Sequence, residues 1–340
     1  MTLQSKLSKP SVGFHRLSIR FYPESDILMD AWVGAVLRNN FLFAAEQVPS
    51  RQGVSLRQEL DQFPLPKDHS YYRQLAGGFP KSYLFDCSDM AGQKGKTRLY
   101  GNHIYTVHLV LIGTCSNHYL SIMTAFQLMF SRGLGSPAVP LHILDITEYL
   151  LGYTEGRLLY NEGCDFMEPL SSPIRLTDFE TGWAGQGKEI EVELFFKTPI
   201  CLIKQRVKTN GSISYQNKMN GFPSFYQFMR SAAYRLMALE MLYGDMEIET
   251  GNNQEAEQEL ELYIAASTEA LLLAADIHYH TLRATPKKGV NNVYVMGGYQ
   301  GRLMFGKVDP KYLPFLQFAS FLGNGNDINF GLGTFKCTLI

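Results

Sequence analysis

Paired cysteines are missing from this chain. Its five cysteines, Cys87, Cys115, Cys164, Cys201 and Cys337, form no CxxC, and an odd, scattered set argues against a disulfide framework. They read as reduced thiols, which implies a cytoplasmic protein without a zinc site. A long apolar run is missing too. The opening MTLQSKLSKPSVGF lacks the apolar core of a secretion signal, and no uninterrupted apolar stretch reaches bilayer-spanning length, so no membrane partner is expected. Nor is there an excess of charge of one sign. The formal net charge is −1 over 340 residues, so any nucleic-acid role requires basic residues concentrated locally.

What is present favours a well-packed protein. The chain is 45% hydrophobic and 19% charged, which supplies a core and excludes general disorder, and its length suits one large or two medium domains. Charge is segregated along it. Lys197, Lys204, Arg206, Lys208 and Lys218 follow one another with no acid between them. Then come Glu240, Asp245, Glu247, Glu249, Glu255, Glu257, Glu259 and Glu261 with no base. Basic residues return at Arg283, Lys287, Lys288, Arg302, Lys307 and Lys311. Any single run can be a solvated face; this alternation favours a polarised surface.

Hydrophobic period gives the elements. Residues 12–22 alternate, with His15, Leu17, Ile19 and Phe21 on one side and Phe14, Arg16, Ser18, Arg20 and Tyr22 on the other, as in a half-buried strand. Pro23 stops it, and the spacing predicts a helix over 27–48 capped by Ser25 or Asp26. Residues 50–79 read as irregular. Strands are expected over 81–88 and 99–113, a helix over 118–132 capped by Ser116 or Asn117, and a strand over 141–151. Strand, helix, strand, strand, helix, strand is the ferredoxin-like βαββαβ unit. The count recurs in the second half. A strand over 189–196 ends at Thr198-Pro199, a basic loop runs to Gly221, and a strong helix spans 222–243. A segment from Glu255 to about Ala275 reads as helix, or helix then strand. A hairpin follows over 276–284 and 292–306, then a last helix and strand. The expected fold class is α+β, with two tandem ferredoxin-like domains: residues 1–160, a linker over 161–187, and 188–340 carrying a basic hairpin and a C-terminal glycine-rich loop.

That loop draws most attention. Gly323-Asn324-Gly325-Asn326 follows the last helix, and the chain closes through Phe330-Gly331-Leu332-Gly333-Thr334-Phe335. Such a loop either exposes backbone N–H groups that suit phosphate, which makes Gly323, Gly325, Gly331 and Gly333 candidate RNA contacts, or is simply a tight turn.

The ending resembles that of CRISPR-associated endoribonucleases that cut repeat RNA, members of the repeat-associated mysterious protein (RAMP) superfamily. The motifs are Gly297-Gly298-Tyr299-Gln300-Gly301, a helix, and the Phe330–Phe335 run. Further matches in order are Leu37-Arg38, Leu109–Gly113 with Arg132–Gly135 after the next helix, Leu194–Pro199 and Ala233–Leu239. The resemblance implies two ferredoxin-like domains. It also implies metal-independent cleavage of precursor CRISPR repeat RNA by the RNA's own 2′-hydroxyl, leaving a 2′,3′-cyclic phosphate and a 5′-hydroxyl. The alternative is a catalytically silent RNA-binding subunit of a CRISPR effector or adaptation complex, and a third reading is a ferredoxin-like protein unrelated to RNA. Repeat RNA and mature guide RNA are the expected partners; other CRISPR-associated proteins and a homodimer are allowed by the same resemblance. No cofactor is expected, and no HxxE or DxD pattern in a plausible loop suggests a metal route.

Where the family often has a histidine near the end of its first helix, this chain has Arg38-Asn39-Asn40 and no histidine. Arg38 is therefore the candidate transition-state cation, or a phosphate or carboxylate contact with no chemistry. His15 is the candidate base, or a satisfied core histidine, since it shares its period with Leu17 and Ile19. The hairpin tip Arg283-Ala284-Thr285-Pro286-Lys287-Lys288-Gly289 can clamp an RNA stem, as its family counterpart does, or is a soluble charged turn. Lys204, Arg206 and Lys208 can track single-stranded RNA, and Arg302 adds a cation to the second basic run. His278 and His280 fit RNA contacts or a half-exposed sheet pair, with no third metal ligand evident.

Overall fold

The computed structural model describes residues 10–340 except 51–52, 63, 65–78, 91–96, 165–166, 181–188, 203–204, 210–211, 217–220, 245–252 and 284–294. Its first half runs β1 (Phe14–Pro23), β2 (Ile27–Met29), α1 (Val33–Ala45), α2 (Leu56–Asp61), β3 (Tyr83–Asp86), β4 (Thr97–Leu99), β5 (Tyr105–Ile112), α3 (Tyr119–Arg132), β6 (Leu141–Glu148) and β7 (Arg157–Asn161). An antiparallel sheet has the order β3-β5-β1-β6-β7. Without the added β7, this is the strand order of a ferredoxin-like unit.

The second half runs β8 (Ile190–Ile200), β9 (Gln205–Thr209), β10 (Ser212–Gln216), α4 (Phe225–Tyr243), α5 (Asn253–Ile264), β11 (Leu271–Arg283), β12 (Val295–Val308), α6 (Tyr312–Leu322) and β13 (Phe335–Leu339). Its sheet has the order β11-β12-β8-β13, so the second, third, first and fourth strands of the unit lie side by side, as in the first half. Two tandem ferredoxin-like folds make up the α+β architecture.

Local chemistry accounts for the main elements. Leu17, Ile19 and Phe21 of β1 are fully buried against α1 and α3. Phe14, of opposite parity, faces the other way and stacks on Phe321 of α6, with ring centroids 4.9 Å apart. One strand therefore feeds two cores, and the second is shared: Phe14, Leu84, Val110 and Ile112 from the first sheet join Phe228, Phe318 and Leu322 from the second half. Full burial of a phenylalanine side chain stabilises by roughly 1.5–3 kcal/mol, so Phe14 alone ties the halves appreciably. Helix α4 starts at a capping box, in which Ser224 Oγ accepts from Gln227 N–H and Gln227 Oε1 accepts from Ser224 N–H.

Four element expectations are corrected. The helix foreseen over 27–48 is confined to 33–45, because Ile27–Met29 pairs with Thr97–Leu99 as a two-stranded ribbon. The strand foreseen over 99–113 is broken for the same reason, its first residues being drawn into that ribbon. Strand β8 does not stop at Thr198-Pro199 but runs through to Ile200. Lys197 N–H and Thr198 N–H both donate to Thr334 O, and the next residue, proline, has no N–H to satisfy while its carbonyl accepts from Gly333 N–H. The basic loop after it contains a hairpin, β9 with β10.

Candidate nucleic-acid interface

The glycine-rich loop joins the two halves, and most of its polar groups are engaged inside the chain. Asn324 is fully buried; its Nδ2 donates to Phe228 O in α4 over 3.0 Å, and its Oδ1 accepts from Gly325 N–H. Asn326 donates from both its backbone and its side chain to Cys201 O. Thr198 and Thr334 share a buried hydroxyl–hydroxyl bond of 2.9 Å. Gly333 has φ +73°, and a Cβ there would lie 2.0 Å from Asn324 O, so only glycine fits. The amides foreseen as open to phosphate are instead occupied at three positions: Gly325 N–H bonds to Asn324 Oδ1, Gly331 N–H to Ile328 O and Gly333 N–H to Pro199 O. Gly323, like Gly331 and Gly333, is buried. Asn324 and Asn326 are the loop's internal anchors.

Helix α1 docks on this loop through one face. Trp32 Nε1 donates to Phe330 O over 2.6 Å. Gly34 lies under the same carbonyl, where a Cβ would come within 2.1 Å of the oxygen. One turn on, the Arg38 guanidinium sits 5.2 Å from the centroid of the Phe330 ring. Its Nε is buried without a hydrogen bond. The neighbouring Tyr83 hydroxyl is also buried; burial pushes its pKa up, and the Arg38 guanidinium opposes that shift. Arg38 thus presents a partly exposed cation at the joint between the halves, with hydrogen-bonding capacity to spare.

His15 lies elsewhere. Its Nδ1 meets Glu148 Oε1 at 2.9 Å, and both side chains are buried. Glu148 also accepts from Arg157, from Ser171 N–H and from Ser171 Oγ. Burial acts to raise the Glu148 pKa, but the bonds from His15, Ser171 and Arg157 outweigh it and hold the carboxyl below its usual range. Arg38 contacts Phe330 and Tyr83, whereas His15 contacts Glu148. The two candidates for chemistry share no partner among these contacts, and His15 is enclosed as a core histidine.

The basic candidates are spread. Arg206 and Lys208 are in β9, opposite Tyr215 and Ile213, and Lys204 lies outside the described residues. Arg283 is the last residue of β11, opposite Val295, while Lys287 and Lys288 lie outside the described residues. Arg302 is exposed on the helix-free face of the second sheet, 5.0 Å over the Phe195 ring and 3.4 Å from a Glu193 oxygen. Register puts Lys336, Phe195, Arg302 and Asp276 in one row across that sheet. His278 is 80% exposed near Asp276, and burial together with His278 lowers the pKa of His280.

One cluster went unnoticed in the sequence. On the face of the first sheet opposite α1 and α3, His108 Nδ1 lies 2.8 Å from Ser18 Oγ and its Nε2 lies 3.2 Å from Asp89. Arg16 pairs with Asp86 beside it, and Lys197, from the second half, reaches Asp89 with its field. The available signal was weak: a histidine alternating with Val107 and Leu109 inside an apolar strand.

Residues 194–335 match the family model described as CRISPR-associated endoribonuclease Cas6. No curated protein matches the chain. Among solved structures, a Cas6 product complex aligns with a TM-score of 0.54 at 14% identity, covering 96% of this chain and 100% of that one. A chain of a partial Cas6-RT-Cas1–Cas2 complex aligns with a TM-score of 0.55 at 10% identity, covering 98% of this chain but 47% of that chain. This chain thus spans about half the length of that larger relative. At these identities the structural likeness shows the fold, and that fold is the tandem ferredoxin-like one described above. The family match covers residues 194–335, less than half of the chain, and the likeness to solved Cas6 structures, which spans nearly its whole length, shows the tandem ferredoxin-like fold.

Proposed function

We propose that the chain is an endoribonuclease that binds CRISPR repeat RNA and cuts the precursor transcript without a metal. The observation that carries this reading is the family match over 194–335, which contains the glycine-rich loop on which Arg38 is seated. Cleavage proceeds by attack of the ribose 2′-hydroxyl on the adjacent phosphorus, with cations stabilising the charge that develops on the phosphorane. Arg38 supplies one such cation. Held on Phe330 with Nε unbonded, it keeps donors ready for a phosphate oxygen. Lys287, Lys288 and Arg283 on the β11–β12 hairpin hold an RNA stem, and Lys204, Arg206, Lys208 and Arg302 add phosphate contacts. Gly323, Gly325, Gly331 and Gly333 act by letting the loop pass tightly between the halves.

A second reading is an RNA-binding subunit without cleavage. It is favoured by Arg38-Asn39-Asn40, where no histidine stands, and by the likeness to a chain solved in a Cas6-RT-Cas1–Cas2 complex, which suggests assembly with other CRISPR-associated proteins. Incubation with labelled repeat RNA in EDTA separates the two. A single cut leaving a 2′,3′-cyclic phosphate supports the enzyme; tight, salt-dependent binding with no cut supports the silent subunit.

A further inference from the structure

We propose that the outer edge of β11 is a pairing surface for a second copy of this chain, joined antiparallel about Ile277 so that the two four-stranded sheets become one. The inference goes beyond the RNA reading and does not depend on it. Strand β11 ends the order β11-β12-β8-β13, and among the described residues no strand pairs with its outer edge. An unpaired edge leaves a row of N–H and C=O groups open to another strand. Folded chains blunt such edges by keeping them short, or by placing charge, lysine above all, or proline on them.

The other outer strands of the two sheets are blunted in this way. Strand β3 has 4 residues, β7 has 5 and includes Arg157, and β13 has 5 and includes Lys336. Strand β11 has 13. From Leu271 to Leu282 it carries no lysine, arginine, proline or glycine, and Asp276 is its only acid. It opens on Leu271, Leu272 and Leu273, which are 42–50% exposed. Consecutive exposed leucines on an open edge mark a surface that a partner covers. The bulge between Leu272 and Ala274 bends the start of the strand, so the segment left straight for pairing is Ala274–His280.

Charge selects a second copy as the occupant. Asp276 and His278 lie on the face that carries Arg302, 83% and 80% exposed, with His278 Nε2 3.6 Å from Asp276 Oδ1. In an isologous pair with Ile277 on the two-fold axis, Asp276 stands directly opposite the partner's His278, and His278 opposite the partner's Asp276. A carboxylate accepts from an imidazole N–H, so both pairs attract. Asp276 is then flanked by Arg302 of its own β12 and by the partner's His278. Ala274 and Ala275 fall opposite the partner's His280 and the partner's Tyr279, small against large. Moving the axis to Asp276 would oppose two carboxylates, and moving it to His278 would oppose two imidazoles, so the neighbouring registers are disfavoured.

Sedimentation velocity of the full chain without RNA, over a concentration series, tests this. The wild type is expected to dimerise. His278→Asp sets carboxylate against carboxylate at both symmetric pairs and is expected to weaken dimerisation by about tenfold or more. Adding Asp276→His to it exchanges the two members of each pair and is expected to restore the dimer to within about threefold of wild type. Both side chains are exposed, and circular dichroism checks that the variants fold. Hydrogen exchange on the wild type gives a readout free of mutation: amides within Ala274–His280 are expected to gain protection as concentration rises through the dimer range. A wild-type chain that stays monomeric, a dimer that His278→Asp leaves unchanged, a double variant no better than His278→Asp, or a dimer without added protection in β11 each overturns the proposal. None of these outcomes bears on the endoribonuclease reading, which the EDTA incubation decides separately.

Discussion

Trp32 donates its indole N–H to the carbonyl of Phe330, 298 residues away in the sequence, over 2.6 Å. That bond hangs the first helix of one half on the last loop of the other. It also positions Arg38, six residues further along the chain in α1, over the Phe330 ring. The joint is a side-chain-to-backbone contact that no local pattern encodes.

Trp32→Phe keeps an aromatic ring but removes this donor and shrinks a fully buried side chain. We expect a loss of about 1–2 kcal/mol in unfolding free energy. Urea denaturation followed by intrinsic fluorescence and circular dichroism checks it. A value within a few tenths of wild type would mean that the contact adds nothing net.

The buried Glu148 makes stability acid-sensitive. Its carboxyl titrates below its ordinary range in the folded chain, so the folded state binds fewer protons than the unfolded one near the ordinary carboxylate pKa. The stabilisation is fully present above the unfolded pKa, about 4.3, and is lost as pH falls through the lower folded value. Glu148→Gln should shallow the acid limb of a Tm-against-pH curve between neutral pH and the acid transition. A parallel, merely lowered curve would assign the acid sensitivity to other carboxylates.

Arg38→Ala should slow RNA cleavage more than it weakens binding, by about a hundredfold against a fewfold. Single-turnover rates at saturating protein measure the first and a filter-binding isotherm the second. Equal losses would make Arg38 a docking contact.

Lys287→Ala combined with Lys288→Ala should weaken binding of a repeat stem and flatten its salt dependence. Two lost phosphate contacts reduce the slope of log K against log salt by up to about 2. An unchanged slope would remove this hairpin tip from the RNA interface.

Much of the framework was legible in the chain itself. The alternation of Leu17, Ile19 and Phe21 placed β1 correctly, because a buried face forces period two whatever its partner is. Ser224 and Gln227 mark the start of α4 through contacts three residues apart. Misreadings fell where a distant strand overrode local preference. Ile27–Met29 carries helix-like spacing yet pairs with residues 97–99. The glycine-rich loop reads in sequence as a phosphate cradle or a tight turn, and the anchoring roles of Asn324 and Asn326 became visible only with Phe228 and Cys201 beside them. The hydrogen bonds of His108 are made with residues 90 and 19 positions away, a separation at which sequence spacing carries no information.

The sequence by itself determined the two βαββαβ counts, the segregation of charge and the glycine-bounded ending, because periodicity, capping and turn chemistry act between near neighbours. Only the tertiary structure decided which amides of the glycine loop are occupied, that His15 is enclosed by Glu148, and that Arg38 rests on Phe330. Those outcomes depend on which surfaces of the two sheets and their helices meet. That meeting is set by the summed burial of side chains such as Phe14 and Phe321, which lie at opposite ends of the chain.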